Sequence, residues 1–436
     1  MAKEKVYSVR SDDELLVEEK YAVEAVPHSI RGSWVKTAAI YSGMVASISW
    51  CMTGGSLISS LSFVQSLLSL AIGMAVLIIC ICLPMGKIGT KHGFNTYIIG
   101  ECAFGSKGSN IATGLVISAI PCIAWYGIQV TIAAQAVTGA LNMGTSATNI
   151  LALFFGVLFV IPTLLGTKSM AWLNYVSIPL MIFILVFGVY RALQITGSAD
   201  ALSFIPATQG SVLWGVNLQI GMVICGSAFI ADYSRWQKDS MKGLIGATTL
   251  GMYPFSLVLT AAGMIMAISA VNLGVADPWN PVSVMMAIGM PTFALLLIFL
   301  LQWTTCVTSI YSSSLALVKF FGGKRWVWSF VSSAIGVLLA ITGIVNYFMT
   351  FLNILAIWLS PVVGVIIAEY YFVSKGELKR KSGFYWPGLV CWLLGGLVGW
   401  LANDFLIPAI NSLVVSGVLY LLYHMVVKPK QVSAES

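Results

Sequence analysis

The sequence predicts an all-α integral membrane protein with about twelve transmembrane helices, and three observations predict it. Of the 436 residues, 58% are apolar and only 9% are charged, where a soluble domain carries about 25% charged residues. The apolar residues form long continuous runs, unlike the apolar–polar alternation of an outer-membrane barrel. At about 20 residues per spanning helix, the apolar total allows at most about twelve spans. This composition excludes a soluble enzyme, a disordered chain and a nucleic-acid-binding domain. The net charge of +7 sits in short basic clusters between apolar runs, so nucleic acid is not an expected partner; the lipid bilayer is.

The runs fall at 36–60, 64–86, 110–140, 148–167, 171–194, 213–231, 243–272, 290–320, 327–345, 347–373, 384–402 and 405–426. They divide the chain into a polar tail (1–35), a first group of five helices (36–194), a second group of five (213–373), two further helices (384–426) and a C-terminal tail (427–436). The tail 1–35 carries Asp12, Asp13, Glu14, Glu18, Glu19 and Glu24 and reads as a solvated segment; its polarity argues against a cleavable signal peptide. Basic clusters follow the second run (Lys87, Lys91, Lys107), the fourth (Lys168) and the sixth (Arg235, Lys238, Lys242). More follow the eighth (Lys319, Lys324, Arg325), the tenth (Lys375, Lys379, Arg380, Lys381) and the twelfth (Lys428, Lys430). With the N-terminal basic residues inside, only Arg191 is left outside, so the positive-inside rule places both termini in the cytoplasm. The segment 87–109 reads as a long Gly-rich polar loop, a length that suggests function. The eight cysteines lie mostly in apolar runs and form no Cys-x-x-Cys pair, so neither a disulfide framework nor a zinc site is expected.

Two runs carry helix-weakening clusters. The first holds Gly43, Ser47, Ser49, Gly54 and Gly55; the sixth holds Gly221, Gly226 and Ser227. Interrupted helices at matching positions of two halves point to a transporter binding site. Gly43-Met44-Val45 and Ser49 recur as Gly221-Met222-Val223 and Ser227, and the same spacing maps Trp125 onto Trp303. The second copy would run inverted. Chance matches between apolar segments are the alternative.

No phosphate loop, zinc-protease motif or nucleophile elbow is visible, so no enzyme activity and no resident cofactor are expected. The three histidines, His28, His92 and His424, fall in polar segments or near a helix end, and no acidic residue lies near a predicted midplane. On the third run, Trp125 and Gln129 are one turn apart and share a face. An indole face with an adjacent amide suits a flat neutral heterocycle; a packed Trp beside an interhelical amide bond is the other reading. On the eighth run, the hydroxyls of Thr304 and Thr305 flank the carbonyl of Leu301. That oxygen set suits a hard cation such as sodium, and an unwound first helix would add the carbonyls of Gly43 and Ala46. Hydroxyls bonded back to their own helix are the alternative.

Several strings resemble the first nucleobase:cation symporter family, which includes cytosine permease and hydantoin transporters. They are Val26-Pro27-His28-Ser29-Ile30-Arg31, Thr53-Gly54-Gly55, Gly89 to Gly93, Phe104 to Ser109 and Trp125-Tyr126-Gly127. Further along come Ala231-Asp232-Tyr233-Ser234-Arg235, Trp303-Thr304-Thr305 and Pro361 to Tyr370, collinear from about residue 26 to 425. The resemblance implies two inverted five-helix repeats of leucine-transporter type plus two C-terminal helices, with helices 1 and 6 broken. It also implies cation-coupled uptake of a nucleobase or related heterocycle. It carries Trp125 over as the stacking residue and Gln129 as the edge-reading amide. Thr304, Thr305, Leu301, Gly43 and Ala46 carry over as the sodium site. Cys122, Met222-Val223 and Cys306 stand where cytosine permeases have polar or aromatic groups, so a less polar pocket is expected.

The expected protein is thus a monomeric secondary transporter of the cytoplasmic membrane. Its heterocycle site draws on Trp125, Gln129, Gly221, Met222, Cys225, Gly226, Ser227 and Cys306, with Asp232 and Arg235 as an interfacial ion pair. A sodium-coupled amino-acid transporter of the same architecture and a passive channel are the alternatives; competition between amino acids and heterocycles, and accumulation against a gradient, separate them.

Overall fold

The computed structural model describes residues 21, 24–45, 47–165 and 167–427. The described elements are helices, and extended backbone pairs only at an isolated Gly32–Gln237 bridge. In chain order they are α1 (Trp34–Val45), α2 (Ser49–Ile58), α3 (Phe63–His92), α4 (Thr96–Ser109), α5 (Ile120–Ala140), α6 (Thr145–Leu165) and α7 (Thr167–Thr196). Next are the short α8 (Ser198–Leu202), α9 (Val212–Ala228), the single turn α10 (Ala231–Ser234), α11 (Met241–Asn272) and the short α12 (Pro281–Ala287). The last are α13 (Pro291–Phe321), α14 (Arg325–Ile341), α15 (Phe348–Ile367), α16 (Trp386–Leu401) and α17 (Pro408–Val427). Seven described helical runs are long and apolar enough to cross a membrane, α3, α11 and Ile344–Val373 among them. Their outer faces expose Val64, Ile150, Val258 and Val426, apolar surface that belongs in lipid. This is a multi-pass membrane protein.

Two groups of helices position the site. In one, α11 packs along α1 and α2, and α9 packs on α3. In the other, α5 packs on α6, α13 and α14. The final helices α16 and α17 pack on α15. Small residues set the first group's spacing. A Cβ on Gly54 would meet the Thr260 carbonyl, one on Gly55 the Pro278 carbonyl, and one on Gly263 the backbone of Cys51. The Thr53-Gly54-Gly55 cluster therefore lies inside an intact α2 as a packing face.

Helical continuity differs from the sequence reading in the sixth segment and at 87–109. The helical run of the first segment ends at Val45 and resumes at Ser49. In the sixth, α9 continues through Gly221 and Gly226, and the interruption falls at Phe229–Ile230. Gly221 is needed there because a side chain would collide with the Leu352 carbonyl of α15. The expected loop 87–109 is mostly helix. The α3 run reaches His92, Gly93 caps it in the left-handed region (φ 76°), and α4 starts at Thr96. Asn95 caps α4 by accepting from the Ile98 amide at 3.0 Å. The glycines that suggested a loop include Gly105, whose φ of 76° lets α4 approach the segment 381–385. There the Ser106 amide donates to the Lys381 carbonyl at 2.9 Å and the Tyr385 amide to the Phe104 carbonyl at 2.8 Å.

The described part of the expected tail also packs. Val26 is fully buried, its amide donates to the Gly93 carbonyl at 3.0 Å, and Arg31 is 4% exposed. The Arg31 guanidinium donates to the carbonyls of Val26 and Thr90. Gly32 pairs with the Trp236–Lys238 backbone. The strap thus ties the end of α3 to the α10–α11 turn.

Candidate functional site

A cavity of about 180 Å³ lies between the two helix groups. For scale, a cavity of about 150 Å³ accepts benzene, so this one has room for a small planar ring. The gap between α1 and α2 contributes Val45, Ser47, Ser49 and Trp50. From α5 come Cys122, Trp125 and Gln129; from α9 come Met222, Val223, Cys225 and Gly226. Phe229 and Tyr233 follow, at and beyond the α9–α10 interruption. The wall from α13 is Thr305, Thr308, Ser309 and Ser312, a hydroxyl-bearing face at helical spacing.

Trp125 is half-buried in the wall. The rings of Phe348 and Phe351 meet it edge-on, at centroid distances of 5.9 and 5.2 Å, and Trp279 stacks on Phe348 at 6.2 Å. This aromatic group backs Trp125 on the side of α15.

One turn from Trp125, Gln129 is fully buried. Its Nε2 donates to Ser49 Oγ at 3.3 Å. Ser49 is itself held, since Ser47 Oγ donates to Ser49 Oγ at 3.2 Å and the Ser49 amide donates to Ser47 Oγ at 3.3 Å. Gln129 Oε1 has no hydrogen-bond partner among the described residues.

The structure brings Trp125, Gln129, Met222, Cys225, Gly226 and Thr305 to this one cavity. It places three other sequence candidates elsewhere. Gly221 faces α15. Ser227 is fully buried against Cys82. Cys306 packs with Tyr126, Phe155 and Phe159 between α5, α6 and α13. Trp303, the repeat mate of Trp125, stacks on Phe159 at 5.6 Å. The wrong faces follow from helix phase: Cys306 is one residue from Thr305, which turns it about 100° away. Of the cation candidates, Gly43 lies in the last turn of α1, where carbonyls lack a following turn. Ala46 lies outside the described residues, and so do the side chains of Leu301 and Thr304. The Thr305 carbonyl accepts from Thr308 Oγ1 at 2.9 Å.

Asp232 lies within reach of the Arg235 charge and makes a second contact that the sequence did not suggest. Its Oδ1 accepts from the Thr96 amide at 2.7 Å, so it caps the start of α4, while Arg235 Nε donates to the Asp232 carbonyl at 3.1 Å. Sequence reasoning missed Ser47, Ser49, Trp50, Phe229, Tyr233, Thr308, Ser309 and Ser312. The serines at the Val45–Ser49 interruption and the hydroxyl spacing 305, 308, 309, 312 were the available signals.

A cavity walled by interrupted helices within a bundle of apolar helices is the arrangement expected of a transport protein. Residues 25–418 match the profile of permeases for cytosine/purines, uracil, thiamine and allantoin. The chain belongs to that family and is a transporter rather than an enzyme. It is 26% identical to the cytosine permease of Escherichia coli (strain K12) over 415 residues, covering 94% of this chain and 95% of that protein. It is 25% identical to the hydantoin permease of Microbacterium maritypicum over 425 residues, covering 89% and 84%. Among solved structures it is similar to a nucleobase-cation-symport-1 family transporter in a closed conformation with bromovinylhydantoin bound. That match has a TM-score of 0.77 at 21% identity and covers 95% of this chain and 97% of that one. A Na+-coupled sialic acid symporter in a substrate-bound outward-open state shares the fold at a TM-score of 0.64 and 13% identity.

Proposed function

We propose that this protein imports a planar nitrogen heterocycle of the nucleobase or hydantoin type across the cytoplasmic membrane by sodium symport. The observation that carries this reading is the pairing of a half-buried Trp125 with the unsatisfied Oε1 of Gln129 in one ring-sized cavity. The ring stacks on Trp125, its edge meets Gln129, and the α9 segment from Met222 to Gly226 forms the facing wall. The relatives named for cytosine and hydantoin support that substrate class. Twelve spans, in two inverted five-helix repeats plus α16 and α17, carry the site, with both termini in the cytoplasm and one chain as the working unit.

Sodium sits where the interrupted first helix faces α13. The carbonyls of Gly43, Ala46 and Leu301 and the hydroxyls of Thr304 and Thr305 supply a hard oxygen set. Thr305 and the residues flanking the helix gap line the same cavity, so ion and substrate act on one pair of elements. Because each binds one state better, their binding energy shifts the population between outward- and inward-facing forms.

The test is a thermal-shift screen of the purified protein against about thirty heterocycles and the common amino acids. A ligand at 100 times its dissociation constant adds about 2.7 kcal/mol. Stabilisation by a nucleobase or hydantoin, and not by amino acids, is expected; the reverse pattern overturns the reading.

A further inference from the structure

We propose that Ser49 makes the site select heterocycles that present a ring N–H, by holding one N–H of the Gln129 amide and so fixing its orientation with the oxygen left for the substrate. The inference rests on the heterocycle reading above. A primary amide offers two donors and one acceptor oxygen, and its orientation is set by the partners it finds. Here Nε2 is engaged by Ser49 Oγ, and Ser49 is fixed at the start of α2 by two contacts with Ser47. Oε1 remains buried, without a partner among the described residues, in a side chain that lines the cavity.

A buried acceptor of this kind rejects a ligand that offers it another acceptor and rewards one that offers a donor. Trp125 stacking cannot supply that preference, because every planar ring has a π-face. The donor requirement is therefore a property of the Ser49–Gln129 pair. It is also a link between α5 and the interrupted first segment, since the amide that reads the ligand is held by α2.

The experiment measures dissociation constants for hydantoin, uracil, cytosine and adenine. Each is set against its counterpart with every ring N–H methylated, by thermal shift and by competition in uptake. In the wild type at least one parent binds, and it binds roughly ten- to hundredfold tighter than its methylated counterpart. In Ser49→Ala the amide is free to turn its NH2 toward a ligand carbonyl, so that ratio falls about tenfold, while Ser49→Thr restores it. A methyl excluded only by bulk stays excluded in Ser49→Ala, so an unchanged ratio overturns the proposal. Equal binding of parents and methylated counterparts in the wild type overturns it too. If those results come with binding that still depends on Trp125, the heterocycle reading survives alone. If no member of the panel binds, both fall.

Discussion

At the scale of single residues, the site rests on one ring and one amide. Trp125 is held at its edges by Phe348 and Phe351 but is only half-buried, so truncation removes a ligand surface more than a packing unit. Trp125→Ala is expected to keep its fold and to lose about 1–3 kcal/mol of heterocycle binding, the worth of a base–aromatic stack. A titration followed by thermal shift measures this, and wild-type affinity in the folded variant would remove Trp125 from the site. Gln129→Leu makes a different prediction. An amide that reads one edge changes the order of preference among heterocycles. A uniform weakening of all ligands, seen in competition assays, would make Gln129 a structural bond between α5 and α2.

At the scale of elements, close backbone contact of α2 with α11 and with the segment that follows it fixes the wall that ends in Ser49. The atom a Gly55 side chain would strike is a backbone carbonyl, that of Pro278, which cannot rotate away. Gly55→Val is therefore expected to cost at least the 1–3 kcal/mol typical of overpacking and to lower the melting temperature clearly. Gly144→Val, where a Cβ meets nothing within 4 Å, is expected to leave it unchanged. A second element contact joins α3 to the α10–α11 turn. Lys87 Nζ donates to Asp239 Oδ1 at 2.6 Å, and Thr90 Oγ1 donates to the same oxygen at 2.8 Å. Partial burial pushes the Asp239 pKa up, but the bonds from Lys87 and Thr90 and the charges of Lys87 and Arg31 outweigh it, leaving the carboxyl below its ordinary range. The sign follows: the ionised carboxylate stabilises the fold above its unfolded value of about 3.9, and this is lost as pH falls through the lower folded value. The melting-temperature gap between wild type and Asp239→Asn is therefore expected to be constant from pH 6 to 8 and to shrink below about pH 4. At under about 1 kcal/mol for a partly exposed pair, the gap is small; a gap that widens with acid would contradict the assignment.

At the scale of the whole molecule, the question is which gradient drives transport. The least exposed carboxylates among the described residues are Glu101 and Glu369, and both are paired; Asp232, beside the cavity, accepts from the Thr96 amide and lies within reach of the Arg235 charge. Arg380 meets Glu101 at 2.7 Å and Lys381 meets Glu369 at 3.0 Å, while Tyr420 and Ser374 donate to Glu369 at 2.6 Å each. Groups so paired tie helices together. Proteoliposomes with a sodium gradient are expected to accumulate the heterocycle, and those with only a proton gradient in sodium-free buffer are not. Replacing both Thr304 and Thr305 by Ala should abolish the sodium stimulation while weak sodium-independent binding at Trp125 persists. Accumulation on the proton gradient alone would end the sodium assignment.

The sequence by itself determined the membrane class, the order of the apolar helices and the pair Trp125–Gln129, because continuous apolar runs and a one-turn spacing are local properties of the chain. It misread 87–109 as a loop and the Gly221–Gly226 cluster as a break, because a glycine kept for close packing looks the same in sequence as one kept for a turn. Only the partner, Gly383 for Gly105 or Leu352 for Gly221, tells them apart. Helix phase decided the rest. Cys306 and Ser227 sit within two residues of cavity-lining positions yet turn into helix contacts, while Ser49 gains its role only because α5 crosses the interrupted first segment and lays Gln129 against it. Which face of a buried helix meets the cavity depends on how neighbouring helices pack, and in runs apolar on all sides no sequence periodicity records it.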